Sequence, residues 1–115
     1  MPDPLRVAFI GAGSNTTLRH LPGLLAIDGV TAIAVCNRSK ESGQRVADEF
    51  DITRVEDNPA SIFEADDIDA ICIGTWPYRH RDYTVRALES GKHVLCEARM
   101  AMNASEAREM LAASC

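Results

Sequence analysis

The stretch "FIGAGSNTTLRH", Phe9 to His20, decides how the rest of this chain reads. Ahead of it, Leu5 to Ile10 is an apolar run of strand length. Gly11, Ala12 and Gly13 follow at once, and Leu18, Leu21, Leu24 and Leu25 then fall on one helical face. Strand, two glycines, helix is the context in which a G-x-G pattern carries chemical meaning. Glycine at 11 permits a sharp turn, and glycine at 13 lets a phosphate approach the backbone. A helix starting near Asn15 aims free N–H groups and the positive end of its dipole at that anion. Thr16 fills the place a third glycine takes in G-x-G-x-x-G. Threonine there loosens helix–strand packing but removes no phosphate-facing N–H, and Ser14 and Asn15 can add side-chain hydrogen bonds. The competing reading is a plain tight turn with two glycines.

Working outward, apolar runs alternate with helical periods. Pro22 lies in the first turns of the helix or bends it, and Asp28-Gly29 closes it. Val30 to Cys36 is a second strand. Ser39 caps a helix with Val46, Ala47 and Phe50 on its inner face. Ile52 to Val55 reads as a short third strand, and Asn58-Pro59 as a helix start. Ile68 to Gly74 is a fourth strand, followed by a helix from about Tyr78 that Ser90-Gly91 ends. His93 to Glu97 is a fifth strand. Asn103 with Glu106 resembles a capping box opening a last helix through Met110 and Leu111. Strands apolar on both faces, separated by helices, imply an α/β fold with a doubly wound parallel sheet of about five strands. Residues 1–115 read as one dinucleotide-binding domain.

Two further places bear on a ligand. NAD sites hold the ribose 2′-OH with a carboxylate at the end of the second strand. Here that end is Cys36-Asn37-Arg38-Ser39-Lys40, with no carboxylate. Arg38 can pair with a 2′-phosphate and Ser39 can donate to it, so NADP is expected ahead of NAD. Alternatively, Ser39 only caps a helix and Arg38 is merely solvated. The missing acid also weakens an S-adenosylmethionine site. At the end of the fourth strand stand Thr75, Trp76 and Pro77, at the edge where such sheets bind ligands. Trp76, the one tryptophan, can cover a nicotinamide ribose, shape a substrate mouth, or simply lid the core. His80 reads first as a local structural partner.

Composition sets outer bounds. With 46% hydrophobic and 25% charged residues, the chain has an ordinary globular balance. A net charge of −5 without a basic cluster argues against nucleic acid or an anionic membrane as partner. Apolar runs stop well short of the roughly 20 residues of a membrane span, and "MPDPLR" has no signal-like region. A cytoplasmic setting is expected. The 4 cysteines form no C-x-x-C or His pairing, so they read as small buried thiols rather than a metal site.

Taken together, "GAGSNTTLRHLPGL", "NRS", "TWPYRH" and "ALESGKHVLCEARMAMN" resemble the N-terminal Rossmann domain of the glucose–fructose oxidoreductase / inositol dehydrogenase / MocA-like (Gfo/Idh/MocA) family, from about Arg6 to Ala113. The resemblance implies an NAD(P)-dependent oxidoreductase acting on sugars, cyclitols and related polyols. It implies that Gly11, Gly13 and the turn from Ser14 through Asn15 to Thr16 hold the pyrophosphate. It implies that Asn37, Arg38 and Ser39 select the adenosine ribose, that Thr75, Trp76 and His80 match the T-P-x-x-x-H segment on the nicotinamide side, and that Glu97 matches the glutamate of E-K-P beside the nicotinamide ribose. Two departures matter. Ala98 replaces the lysine of E-K-P, and Arg99 cannot transfer a proton near neutral pH. The family's substrate domain, with its catalytic histidine and the sixth strand, has no counterpart here. No residue of the 115 is assigned as general acid or base. The fifth strand should then be a sheet edge beside an uncovered face, which predicts self-association. The alternative function is a non-catalytic cofactor-sensing or interaction module.

Overall fold

A computed structural model of the chain describes residues 4–13, 20–97 and 99–115. Its strands are β1 (Leu5–Ile10), β2 (Val30–Cys36), β3 (Arg54–Glu56), β4 (Ala70–Ile73) and β5 (His93–Cys96). They form one parallel sheet in the order β3-β2-β1-β4-β5. The helices are α1 (Leu21–Leu25), α2 (Lys40–Phe50), α3 (Pro59–Glu64), α4 (Pro77–Glu89) and α5 (Ala104–Ser114).

Alternation along the strands builds two cores. Val7, Phe9, Val35 and Cys72 face one side, where Leu21 of α1 and Val46 and Ala47 of α2 cover them. Ala8, Ile10, Ala34, Cys36, Ile71 and Ile73 face the other, under Ile62 and Phe63 of α3 and Ala87 of α4. Central strands buried on both faces read as unbroken apolar runs, which is why β1, β2 and β4 stand out in the sequence. Each fully buried large apolar side chain contributes about 1.5–3 kcal/mol.

Helix starts follow local chemistry. Ser39 accepts from Ser42 N–H at 3.1 Å, and Asn58 accepts from Ala60 N–H at 3.0 Å ahead of Pro59. Asn103 accepts from Glu106 N–H at 2.9 Å, but the Glu106 carboxylate reaches Met102 N–H, one residue before the cap, at 2.9 Å.

Some expectations shift. The third strand starts at Arg54, not Ile52. Asp51 ends α2 with φ 61°, and Ile52 N–H bonds back to Ala47 O at 2.9 Å, so Ile52 belongs to the helix end and is buried there. The fourth strand is shorter than Ile68–Gly74, because Asp69 is engaged with Arg6 before the ladder begins. Leu25 is exposed rather than on the inner face of α1, and Leu18 lies outside the described residues. Cys36 and Cys72 are buried, but Cys96 is half-buried and Cys115 exposed, and all four thiols are free. Burial, then the Glu56 and Asp57 carboxylates, pushes the Cys36 thiol up to about 11; burial, then Glu97, pushes Cys72 up to about 12. Neither is a nucleophile near neutral pH.

The end of the sheet away from the glycine turn is tied by charge. Asp69 accepts from Arg6 N–H at 2.9 Å and from the guanidinium at 3.0 and 3.1 Å. Lys92 is buried and donates through Nζ to Ala65 O at 2.6 Å and Ile68 O at 3.1 Å. The Arg6 guanidinium and backbone N–H hold the Asp69 carboxyl at about 2, below the ordinary 3.8. A lowered native value stabilises the fold above the unfolded value, and that contribution is lost as pH falls from about 4 towards about 2. Urea denaturation of Asp69→Asn should therefore show a deficit against wild type at pH 6 that shrinks between pH 4 and pH 2. A deficit independent of pH would show that the ionised pair is not its source.

Candidate functional site

The carboxyl ends of β1, β2, β3 and β4 border a cleft of about 470 Å³. Its walls include Gly11, Ala12, Gly13, Asn37, Arg38, Ser42, Asp57, Thr75, Trp76, Tyr78 and Arg79. Adjacent β1 and β4 send their following helices to opposite faces of the sheet, so a crevice must open between them.

Gly11 is set by sterics. Its φ is +76°, and a Cβ there would lie 2.6 Å from Thr75 Cγ2, 2.7 Å from Thr75 N and 2.9 Å from Gly74 C. Only glycine lets the turn after β1 pass so close to the turn after β4. Gly13 differs: a Cβ there meets no described atom within 4 Å. Its bareness faces the cleft rather than the protein.

The loop's own hydrogen bonds refine its role. Gly11 N–H donates to Cys36 O and Gly13 N–H to Gly11 O, both at 2.9 Å, and Ala12 N–H donates to Asn37 Oδ1 at 2.6 Å. These three N–H groups are occupied within the protein. Ser14, Asn15, Thr16 and the expected helix start near Asn15 lie outside the described residues.

Asn37 closes a clasp, since its Nδ2 donates to Ala12 O at 3.1 Å and to Ser42 Oγ at 3.0 Å. Its side chain therefore fixes the glycine turn to the end of β2. Ser39 caps α2, as its alternative reading has it; its hydroxyl accepts there and keeps its own proton to donate. Arg38 is exposed on the cleft wall, its guanidinium carbon 6.0 Å from the centroid of the Trp76 ring. The Trp76 indole thus reaches back from the end of β4 towards the end of β2.

His80 is 1% exposed, with Nε2 2.7 Å from Thr75 O and Nδ1 2.7 Å from Arg99 O. Carbonyls only accept, so each neutral tautomer donates to one of the two and a doubly protonated ring to both. The ring ties the turn after β4 to the segment after β5, a structural partnership rather than a cleft-facing catalyst. Thr75 Oγ1 is buried without a hydrogen-bond partner among the described residues. Glu97 N–H donates to Ile73 O at 3.0 Å, and its carboxylate pairs with His20 Nε2 at 3.0 Å. Ala98 lies outside the described residues.

Sequence reasoning missed Ser42, Asp57, Tyr78, Arg79 and His20. Tyr78 and Arg79 follow the quoted Trp76-Pro77 directly and could have been included. His20 reaches Glu97 only through strand order, which no local signal shows.

This is the architecture of a dinucleotide-binding α/β domain. The family model of the Gfo/Idh/MocA proteins, described as an oxidoreductase family with an NAD-binding Rossmann fold, matches residues 5–114, and the chain belongs to that family. It is 34% identical to D-glucoside 3-dehydrogenase of Escherichia coli (strain K12) over 108 residues, 94% of this chain and 31% of that protein. Among solved structures, a 3-ketoreductase from Actinomadura kijaniata in complex with NADP superimposes with a TM-score of 0.89 at 31% identity, over 97% of this chain and 36% of that one. Myo-inositol 2-dehydrogenase from Lactobacillus plantarum does so with a TM-score of 0.84 at 28% identity, over 96% and 33%. The chain spans about a third of the length of these relatives.

The two glycines should separate experimentally. Gly11→Ala should cost about 2–4 kcal/mol in urea denaturation, since a left-handed φ and backbone overlap add. Gly13→Ala should stay within about 0.5 kcal/mol of wild type. Equal losses would show that both glycines serve the fold alone.

Proposed function

We propose that residues 1–115 act as one dinucleotide-binding domain that takes NADP(H), with NAD(H) second, as the cofactor half of an oxidoreductase acting on a sugar, cyclitol or related polyol. The observation that carries this reading is the cleft built on the Gly11–Gly13 turn with Arg38 on its wall. Residues and ligand fit: Gly13 leaves room for a phosphate against bare backbone, and Thr75 Oγ1 is a buried hydroxyl with no partner among the described residues. Arg38 would hold the 2′-phosphate with Ser39, while Gly11 by its turn and Gly13 by its bare backbone would make room for the pyrophosphate that residues 14–16 hold. When bound, nicotinamide supplies hydride transfer at its C4. Asn37 works indirectly, by keeping the glycine turn in register with Arg38. His80 likewise acts through Thr75, and Glu97 stands by the nicotinamide ribose.

Substrate contacts and the catalytic acid or base belong to a second domain in this reading, and the chain's own share is to bind and orient the cofactor. The relatives support it: the proteins named above are a D-glucoside 3-dehydrogenase, a 3-ketoreductase and a myo-inositol 2-dehydrogenase, about three times as long as this chain. No helix among the described residues is long and apolar enough to cross a membrane. The free thiols support a reducing, cytoplasmic setting, and the net charge of −5 supports a small-molecule partner rather than nucleic acid. Ala98 in place of the family lysine favours a second reading, a cofactor-sensing module without turnover.

Calorimetric titration tests the cofactor. NADPH should bind tighter than NADH, and Arg38→Ala should weaken NADPH about 10–100-fold, the value of a charge-assisted hydrogen bond, and weaken NADH less, because NADH has no 2′-phosphate to lose. Equal binding of both cofactors would overturn the selector, and binding of neither would overturn the site.

A second test concerns association. β5 is a sheet edge, with Leu95 exposed on one of its faces and Met100, Met102 and Leu111 exposed beyond it. We expect this chain by itself to dimerise in sedimentation velocity at tens of micromolar, and Leu95→Lys to reduce that. A monodisperse monomer across that range would refute it.

A further inference from the structure

The mouth of the cleft holds an aromatic and cationic arrangement that cofactor binding as such does not require. Trp76 is 68% exposed, yet its position is not arbitrary. The Arg38 guanidinium lies over its ring, 6.0 Å from the centroid. Tyr78 meets the indole edge-on, with ring centroids 6.2 Å apart and planes at 87°. Arg79 in turn lies over Tyr78 at 5.4 Å. Tyr78 thus props the indole so that one face is turned to Arg38.

A planar base stacked between two planar groups needs about 3.5 Å on each side, so about 7 Å in all. The guanidinium carbon and the ring centroid are 6.0 Å apart, so the two groups are at least about 1 Å too close for a base between them. Both side chains are exposed, and they can part by that much without moving a core residue. The location chooses between the two rings of a dinucleotide. Arg38 lies two residues past the end of β2, and the β2 end of such a sheet holds the adenosine half, while the nicotinamide lies towards β4 and β5. Trp76 is rooted after β4 but leans across β1 to the β2 side.

We propose that Trp76 and Arg38 form the two walls of an adenine slot, so that Trp76 grips the adenine ring and not the nicotinamide ribose. This rests on the NADP(H) reading above. Arg38 then does two things: its flat face stacks on the base, and its edge N–H groups meet the 2′-phosphate. Tyr78 is a positioning residue that orients the indole.

The test uses the one tryptophan of the chain as its own reporter. Adenosine 2′,5′-bisphosphate and nicotinamide mononucleotide are titrated separately, followed by tryptophan emission and by calorimetry. The proposal expects adenosine 2′,5′-bisphosphate to change Trp76 emission at the concentration at which it binds, and nicotinamide mononucleotide to leave it unchanged. Trp76→Ala should weaken the bisphosphate about tenfold, within the range of base–aromatic stacking, and Trp76→Phe should restore most of it. Emission that responds only to nicotinamide mononucleotide overturns the proposal. So does calorimetric binding of the bisphosphate with no change in emission, which leaves the cofactor reading standing. If neither fragment nor NADPH binds, both readings fall together.

Discussion

The close passage of two turns organises this molecule. After β1 the chain turns at Gly11, and after β4 it turns at Gly74-Thr75, and the two lie closer than a side chain allows. β1 and β4 are neighbours in the sheet, and the helices that follow them cover opposite faces. The chain must therefore diverge at this point, and the divergence makes the cleft. A Cβ at Gly11 would push the turns apart and shift Thr75, whose carbonyl meets His80. Fold and site thus share one steric requirement.

Around that contact, polar groups fix what the apolar core leaves free. Burial of Phe9, Ile71 and Ile73 holds the strands in layers but does not set where a loop points. Asn37 does this for the glycine turn, by matching one backbone donor and one acceptor of Ala12. His80 does it for the turn after β4, by reaching carbonyls on both sides of itself. Arg6, Asp69 and Lys92 work at the opposite end, where they fasten the starts of β1, β4 and β5 away from any ligand. The charged groups at that end serve stability.

The cleft is asymmetric in its chemistry. Its β2 side carries Arg38 and the Trp76 indole, both exposed. Its β4 and β5 side is tied down by His80 and by the Glu97–His20 pair. An exposed wall at one end and a hydrogen-bonded one at the other agree with the proposed anchoring of the cofactor by its planar base. On β5 the Leu95 side chain is exposed, and the relatives named above are about three times as long as this chain.

By itself the sequence determined the α/β class, the order of the elements and the glycine turn. These depend on local hydrophobic period, on caps such as Ser39, Asn58 and Asn103, and on turn residues, all of which act within a few positions. It also pointed to Arg38, Trp76, His80 and Glu97 as candidate site residues. It did not settle their roles. That Asn37 holds a loop, that His20 meets Glu97, and that Trp76 leans towards Arg38 all follow from the strand order β3-β2-β1-β4-β5. Strand order brings together residues far apart along the chain. The same holds for Ile52, apolar like a strand residue but captured by the end of α2. Local pattern states which residues are buried or capped; only the closed sheet decides which side chains meet across the cleft.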